Sequence, residues 1–274
     1  MSLTIDLTGR VILVCGVARG GIGGATARQI AKAGATVVAV DKTQALVDET
    51  LADIRSLDGT GHGIVADLMD TSQSDPLIEA VLRQTGRLDG VANVAGGTRA
   101  DEWMPLEQTS TESFRQTLNI NLEYVFRICR DAAASMIKRN VPGAFVNVGS
   151  VSALTSAPFH GPYGAAKSGI SALTRTMAFE WGKYGIRANT VSPGAVMTER
   201  VMSRVSTPAA GGKPGGASDI VATTTDEMAN AIVFLLSDLA SGISGQTLVV
   251  DSALSTKFCG GARPFEIVKR NPQV

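Results

Sequence analysis

The sequence predicts a single doubly wound α/β domain, a seven-stranded parallel sheet with helices on both faces. Two observations predict it. Short Val/Ile/Ala-rich runs alternate with longer amphipathic segments from residue 10 onward. The runs are apolar along their length, as strands covered on both faces must be. In chain order the strands are Val11–Cys15, Thr36–Val40, Gly63–Ala66, Leu88–Val94, Ala144–Gly149, Ile186–Ser192 and Thr247–Asp251. Helical patterns fall between them at Ile22–Ala33, Gln44–Leu57, Thr111–Arg139, Gly161–Tyr184 and Asp226–Leu236. Seven strands in strict alternation with helices argue for one domain over the whole chain, residues 1–274. The rhythm breaks once, in the Gly/Pro/Ala/Ser-rich text of Val201–Thr225, so residues 197–225 read as a substrate lid or a plain surface loop. Residues 258–274 carry Gly, Pro and charge without period and form a C-terminal tail.

Composition excludes several partners. Lys+Arg and Asp+Glu balance at 25 each, which leaves no electrostatic footprint for nucleic acid or an anionic membrane. Cys15, Cys129 and Cys259 are far apart, with no CxxC pair and no neighbouring His. Buried reduced thiols are expected rather than a disulfide frame or a metal site. No apolar run reaches the length of a membrane span, and the first residues lack the basic flank of a signal peptide. A cytoplasmic protein is expected.

Chemistry concentrates in NVGSVSALTSAPFHGPYGAAK. Tyr163 and Lys167 are four apart, so on a helix the phenol and the ammonium point the same way. A cation beside a phenol favours the phenolate and pulls its pKa toward the working range. The Ser150 hydroxyl can donate to a developing alkoxide. Taken alone, the Tyr–Lys pair also fits one turn of a surface helix. A second signal is CGVARGGIGG, placed after the first strand and before the first helix. Its glycines permit a tight turn and bring backbone N–H groups to a pyrophosphate. Gly16, Arg19, Gly20, Gly21, Ile22 and Gly23 are the candidate contacts. Asp41 ends the second strand about 20 residues later, where a carboxylate accepts from an adenine-ribose hydroxyl and repels a 2′-phosphate. That favours NAD over NADP, although Lys42 and Arg19 could each neutralise a phosphate. Asp41 could instead be a helix N-cap.

With ADLMD, ANVAG, NINL and VSPGAVMT in the same order, the chain resembles the short-chain dehydrogenase/reductase family from Gly9 to Asp251. The resemblance implies a Rossmann-type fold and gives roles by position. Tyr163 resembles the general acid/base, Lys167 the residue that lowers its pKa and holds the nicotinamide ribose, and Ser150 the carbonyl-polarising serine. Asn121 resembles the asparagine that holds a relay water, with Asn119 as the nearby rival. Asp67 and Leu68 would sit by the adenine. Asn93, Ala95 and Gly96 would support the sheet and pass under the cofactor. Pro193, Gly194, Val196 and Thr198 would meet the carboxamide and phosphate. A homotetramer or dimer is also implied, with no metal.

Three departures stand out. Four residues, Val17–Gly20, separate Gly16 from Gly21 where the family has three, so either Gly20 or Gly21 could face the phosphate. Val94 stands where the family has a second asparagine. Asp251-Ser252-Ala253 replaces Asp-Gly-Gly. The expected reaction is reversible NAD-linked oxidation of a secondary alcohol, cyclic or aromatic, to a ketone. The rivals are an NADPH-linked carbonyl or 3-oxoacyl-thioester reductase and a silent NAD-binding regulator. Gly97, Thr98, Arg99, Ser152, Ala153, Leu154, Phe159 and His160 are expected to face substrate, with Arg99 a candidate for a carboxylate or phosphate.

Overall fold

The computed structural model describes residues 4–99, 102–199 and 222–256. Most of the expected lid and the whole expected tail, with Cys259, lie outside the described residues. The strands are β1 Val11–Cys15, β2 Thr36–Asp41, β3 Gly61–Val65, β4 Gly90–Asn93, β5 Gly143–Val148, β6 Ile186–Pro193 and β7 Thr247–Val250. They form one sheet in the order β3-β2-β1-β4-β5-β6-β7. Every pairing is parallel. The helices longer than one turn are α1 Ile22–Lys32, α2 Gln44–Arg55, α3 Leu77–Thr85, α4 Thr111–Leu118, α5 Tyr124–Arg139, α6 Gly161–Trp181 and α7 Thr225–Leu236.

Period-2 geometry divides each apolar strand between two cores. Val11, Leu13 and Cys15 meet α3, α5 and α6 through residues such as Val81, Tyr124, Ile128 and Ile170. Ile12 and Val14 meet α1, α2 and α7 through Ala27, Ile30, Ile54 and Ile232. Each fully buried Val, Leu or Ile contributes about 1.5–3 kcal/mol, so a polar residue at either phase of β1 would injure one core or the other. The strand order reverses at β1, between β2 and β4. A crevice opens there beyond the carboxyl ends of the strands.

Two differences from the sequence reading concern helices. The continuous helix expected over Thr111–Arg139 is interrupted by a π turn at Asn119–Glu123, whose widened turn reorients the side chains that follow it. Leu77–Thr85 is a further helix, buried through Leu77, Ile78 and Val81, an i, i+1, i+4 pattern present in the text.

Candidate active site

The crevice is a cleft of about 640 Å³. Gly16 leaves β1 at φ +88°, and a Cβ there would stand 2.7 Å from the Ala95 backbone. Only glycine allows the β1 and β4 loops to approach so closely. The extra residue of the glycine loop is absorbed by a turn in which Gly21 N–H donates to the Ala18 carbonyl at 2.9 Å. Gly21 is then the N-cap of α1, with no side chain capping the helix and no acid in its first turn. The first N–H groups of α1 are left for an anion.

Gly16, Arg19, Gly20, Gly21, Ile22 and Gly23 all line the cleft, as do Asp41, Asp67, Leu68, Ala95, Gly96 and Thr198. Both Gly20 and Gly21 face it, so the insertion does not exclude either. Asp41 accepts from Val17 N–H and from Lys42 N–H, each at 2.8 Å. Thr43, not Asp41, is the N-cap of α2, which removes the capping reading. Arg19 bonds Asp53 at 3.0 Å, and Arg28 reaches the same carboxylate at 3.3 Å.

Asn93 lies beneath the cleft, where its Nδ2 donates to Asn147 Oδ1 at 2.9 Å. Pro193 closes β6 against Val250. Gly194 packs on Asp251, leaving 2.7 Å where a Cβ would stand, and Val196 bridges Thr223. None of these four is among the lining residues.

Three side chains on one face, a turn apart, hold the loops that shape the cleft. Asn121 is wholly buried; its Oδ1 accepts from Gly97 N–H at 2.8 Å, and its Nδ2 donates to the Gly97 carbonyl at 3.0 Å. Tyr124 O–H donates to the Ala95 carbonyl at 2.6 Å. Arg127 Nη2 donates to the Leu68 carbonyl at 2.8 Å. Asn121, not Asn119, makes the clasp, and the Asn119 amide oxygen is buried without a partner. The structure adds Tyr124, Val94 and Glu199 to the lining. Glu199 N–H donates to the Gly20 carbonyl at 3.2 Å. Nothing local to their own sequence marks Tyr124 or Glu199, because both act through tertiary approach.

Beyond β5, Ser150 caps a short 3₁₀ turn, and its Oγ accepts from Ser152 N–H at 3.1 Å. Tyr163 and Lys167 stand in the first turns of α6. Lys167 Nζ lies 5.6 Å from the Tyr163 ring centroid and donates to the Val148 carbonyl at 2.8 Å. Burial pushes the Tyr163 phenol up, and the Ser150 hydroxyl beside it partly offsets this. Burial likewise pushes the Lys167 ammonium down to about 7.

On the substrate side, Arg99 is engaged. Its guanidinium reaches Glu102 at 3.5 Å and Gln116 at 3.1 Å. Thr98 Oγ1 accepts from Trp103 Nε1–H at 3.0 Å. His160 bonds Ser152 Oγ at 3.2 Å and the Pro158 carbonyl at 2.7 Å. Leu154 and Phe159 are exposed. Among the described residues no cluster of His, Cys, Asp and Glu could hold a metal ion, and no helix is long and apolar enough to cross a membrane.

Comparison with known proteins agrees with this geometry. A family model described as enoyl-(acyl carrier protein) reductase matches residues 16–255. The chain is 34% identical over 256 residues to the D-threitol dehydrogenase of Mycolicibacterium smegmatis, covering 92% of this chain and 95% of that one. It is 33% identical to the 3-oxoacyl-[acyl-carrier-protein] reductase of Thermotoga maritima, over 90% of this chain and 98% of that one. Among solved structures it is similar to an NAD⁺-bound xylitol dehydrogenase, with TM-score 0.80 and 26% identity, covering 89% of this chain and 98% of that one.

Proposed function

The chain belongs to the short-chain dehydrogenase/reductase family, and on that premise we propose that it transfers hydride reversibly between a secondary alcohol or its ketone and NAD, with Tyr163 as general acid/base. The observation that carries this reading is the placement of Tyr163 beside Ser150 and over a buried Lys167, whose Nζ lies 5.6 Å from the phenol ring centroid. In the oxidative direction the substrate hydroxyl sits between Ser150 Oγ and the Tyr163 oxygen. Tyr163, as phenolate, takes the hydroxyl proton. The carbinol C–H bond breaks with its electron pair, and the carbon–oxygen double bond forms. Ser150 donates to the substrate oxygen and holds its lone pairs in line. Lys167 stabilises the phenolate when protonated, and Asn121 lies on the outward path of the proton.

The residues present fit a dinucleotide. The side-chain-free approach at Gly16 and the uncapped start of α1 suit its pyrophosphate. Asp67 and Leu68 suit the adenine. When bound, NAD supplies the hydride acceptor. NAD is preferred over NADP because the Asp41 carboxylate faces the cleft while Arg19 is drawn onto Asp53. A second reading, an NADPH-linked 3-oxoacyl-thioester reductase, is favoured by Arg19 and Lys42 in the same lining and by the likeness to the Thermotoga maritima enzyme. A silent regulator fits less well, since Ser150, Tyr163, Lys167 and Asn121 are all retained.

A dimer or tetramer is proposed as well. Phe179 on α6 is 90% exposed and Phe126 on α5 43% exposed, apolar area that a second copy would cover. The buried thiols of Cys15 and Cys129 support a cytoplasmic setting.

The test is NADH formation across a panel of cyclic, aromatic, steroidal and hydroxyacyl alcohols, using native protein and Tyr163→Phe. Turnover should fall by at least the ~10²–10⁴-fold worth of a general base, with NADH affinity within about twofold of native. Retained turnover would remove Tyr163 from its role, and faster turnover with NADP would select the second reading.

A further inference from the structure

We propose that the indole of Trp103, seated on His160, is the recognition surface of this active site for a ring, and that the substrate is a neutral alicyclic alcohol. The inference rests on the proposed role of Tyr163.

The indole is held from several sides. It stacks on the His160 ring with centroids 4.3 Å apart and planes at 26°. Its Nε1–H is fixed to Thr98 Oγ1 at 3.0 Å, and the next residue, Met104, donates its N–H to the Phe159 carbonyl at 2.8 Å. His160 is itself pinned. A carbonyl can only accept, so the 2.7 Å contact with Pro158 requires a proton on Nδ1. In the neutral ring Nε2 then accepts from Ser152 Oγ–H at 3.2 Å.

The pinned pair stands beside the reacting group. The His160 and Tyr163 ring centroids are 5.9 Å apart. Two ring contacts thus lead from the phenol to the indole. Yet Trp103 remains 51% exposed. A large aromatic face fixed in place and left in water next to a catalytic phenol is area a ligand can cover. Leu154 and Phe159, on the segments between Ser150 and Tyr163, are exposed too. Phe159 is held at φ 65°, a conformation that costs a non-glycine residue and is retained where the surroundings require it.

Charge argues the same way. The guanidinium that could greet a carboxylate or phosphate, that of Arg99, is engaged by Glu102 and Gln116, and Glu102 also accepts from Arg99 N–H at 2.7 Å. An anionic substrate would compete with those contacts. A neutral ring breaks none.

The test uses the full chain with cyclohexanol and trans-2-decalol as ring alcohols, 2-hexanol as an open chain and 3-hydroxybutyrate as an anion. The native protein should have higher kcat/KM for the ring alcohols than for the other two. Trp103→Ala should lower the ring-to-open-chain kcat/KM ratio about 3–10-fold, the worth of one aromatic contact, through KM rather than kcat. Trp103→Phe should restore most of it. A second readout needs no turnover: the chain has two tryptophans, and saturating 2-decalone should quench the emission of native protein but not that of Trp103→Phe. Loss of the same factor from ring and open-chain alcohols, or no quenching of the native protein, would overturn the inference. If no alcohol is turned over, the proposed reaction fails while the quenching experiment still decides whether Trp103 binds rings.

Discussion

The side chain of Lys167 ends on the backbone of β5, its Nζ donating to the Val148 carbonyl at 2.8 Å while the residue is only 2% exposed. An ammonium so placed lacks the hydration it had in the unfolded chain, and its pKa falls from 10.5 to about 7.

Stability should therefore rise with pH between about 7 and 9. In that interval the unfolded chain binds a proton at Lys167 that the folded chain has released, so protonation favours unfolding less as pH increases. Above about 9 the trend should reverse. Burial raises the phenols of Tyr163 and Tyr124 and the thiols of Cys129 and Cys15, so the unfolded chain then loses protons the folded one keeps. Urea midpoints measured from pH 6 to 10 check both limbs, and Lys167→Met should remove the rise between 7 and 9.

Asp41 should set cofactor preference. Removing a charge-assisted acceptor costs about 1.5–3 kcal/mol, so Asp41→Ala should weaken NADH by roughly 10–100-fold and narrow or reverse its advantage over NADPH. Fluorescence titration of both nucleotides measures the ratio. An unchanged ratio would mean that Arg19 and Lys42 decide it.

Tyr124→Phe removes one oxygen and leaves the Ala95 carbonyl without its 2.6 Å donor. A part-buried acceptor so abandoned falls toward the lower end of the about 1–3 kcal/mol that a buried one costs. Chemical denaturation should register that loss. NADH affinity should fall with it, because Ala95 lines the cleft.

Ser252 and Ala253 occupy the left-handed region at φ 51° and 65°, where the family pattern has glycines. The strain of an L-residue there is roughly 1 kcal/mol, lessened by the greater entropy of glycine in the unfolded chain. Ala253→Gly should raise the melting temperature by a degree or more. A lower value would mean that the Asp251 carboxylate, which accepts from Ala253 N–H at 3.0 Å, already compensates.

What could be read from the sequence was what neighbouring residues determine. Val11–Cys15 is a strand in text and structure alike because five apolar residues between Arg10 and Gly16 allow little else. The glycine loop, Asp41 and the Ser150/Tyr163/Lys167 set were legible because turn geometry and helical spacing are local. Tyr124, Arg127 and Glu199 were not, since each meets its carbonyl or amide partner across a large gap in the chain. The burial of Tyr163 and Lys167 was not legible for a related reason. Spacing shows that an amine stands near a phenol, but the depth at which both are buried belongs to the folded molecule.

Asn121, Tyr124 and Arg127 fasten the loops after β4 and β3 from a single helical face. Each residue added to a helix turns everything beyond it by about 100°, so one residue gained or lost between Asn121 and Arg127 would release at least one of the three anchors. Length variation should consequently be borne beyond Arg139, where α5 has passed the cleft, while the six steps from Asn121 to Arg127 act as a fixed measure against which the nucleotide-binding loops are set.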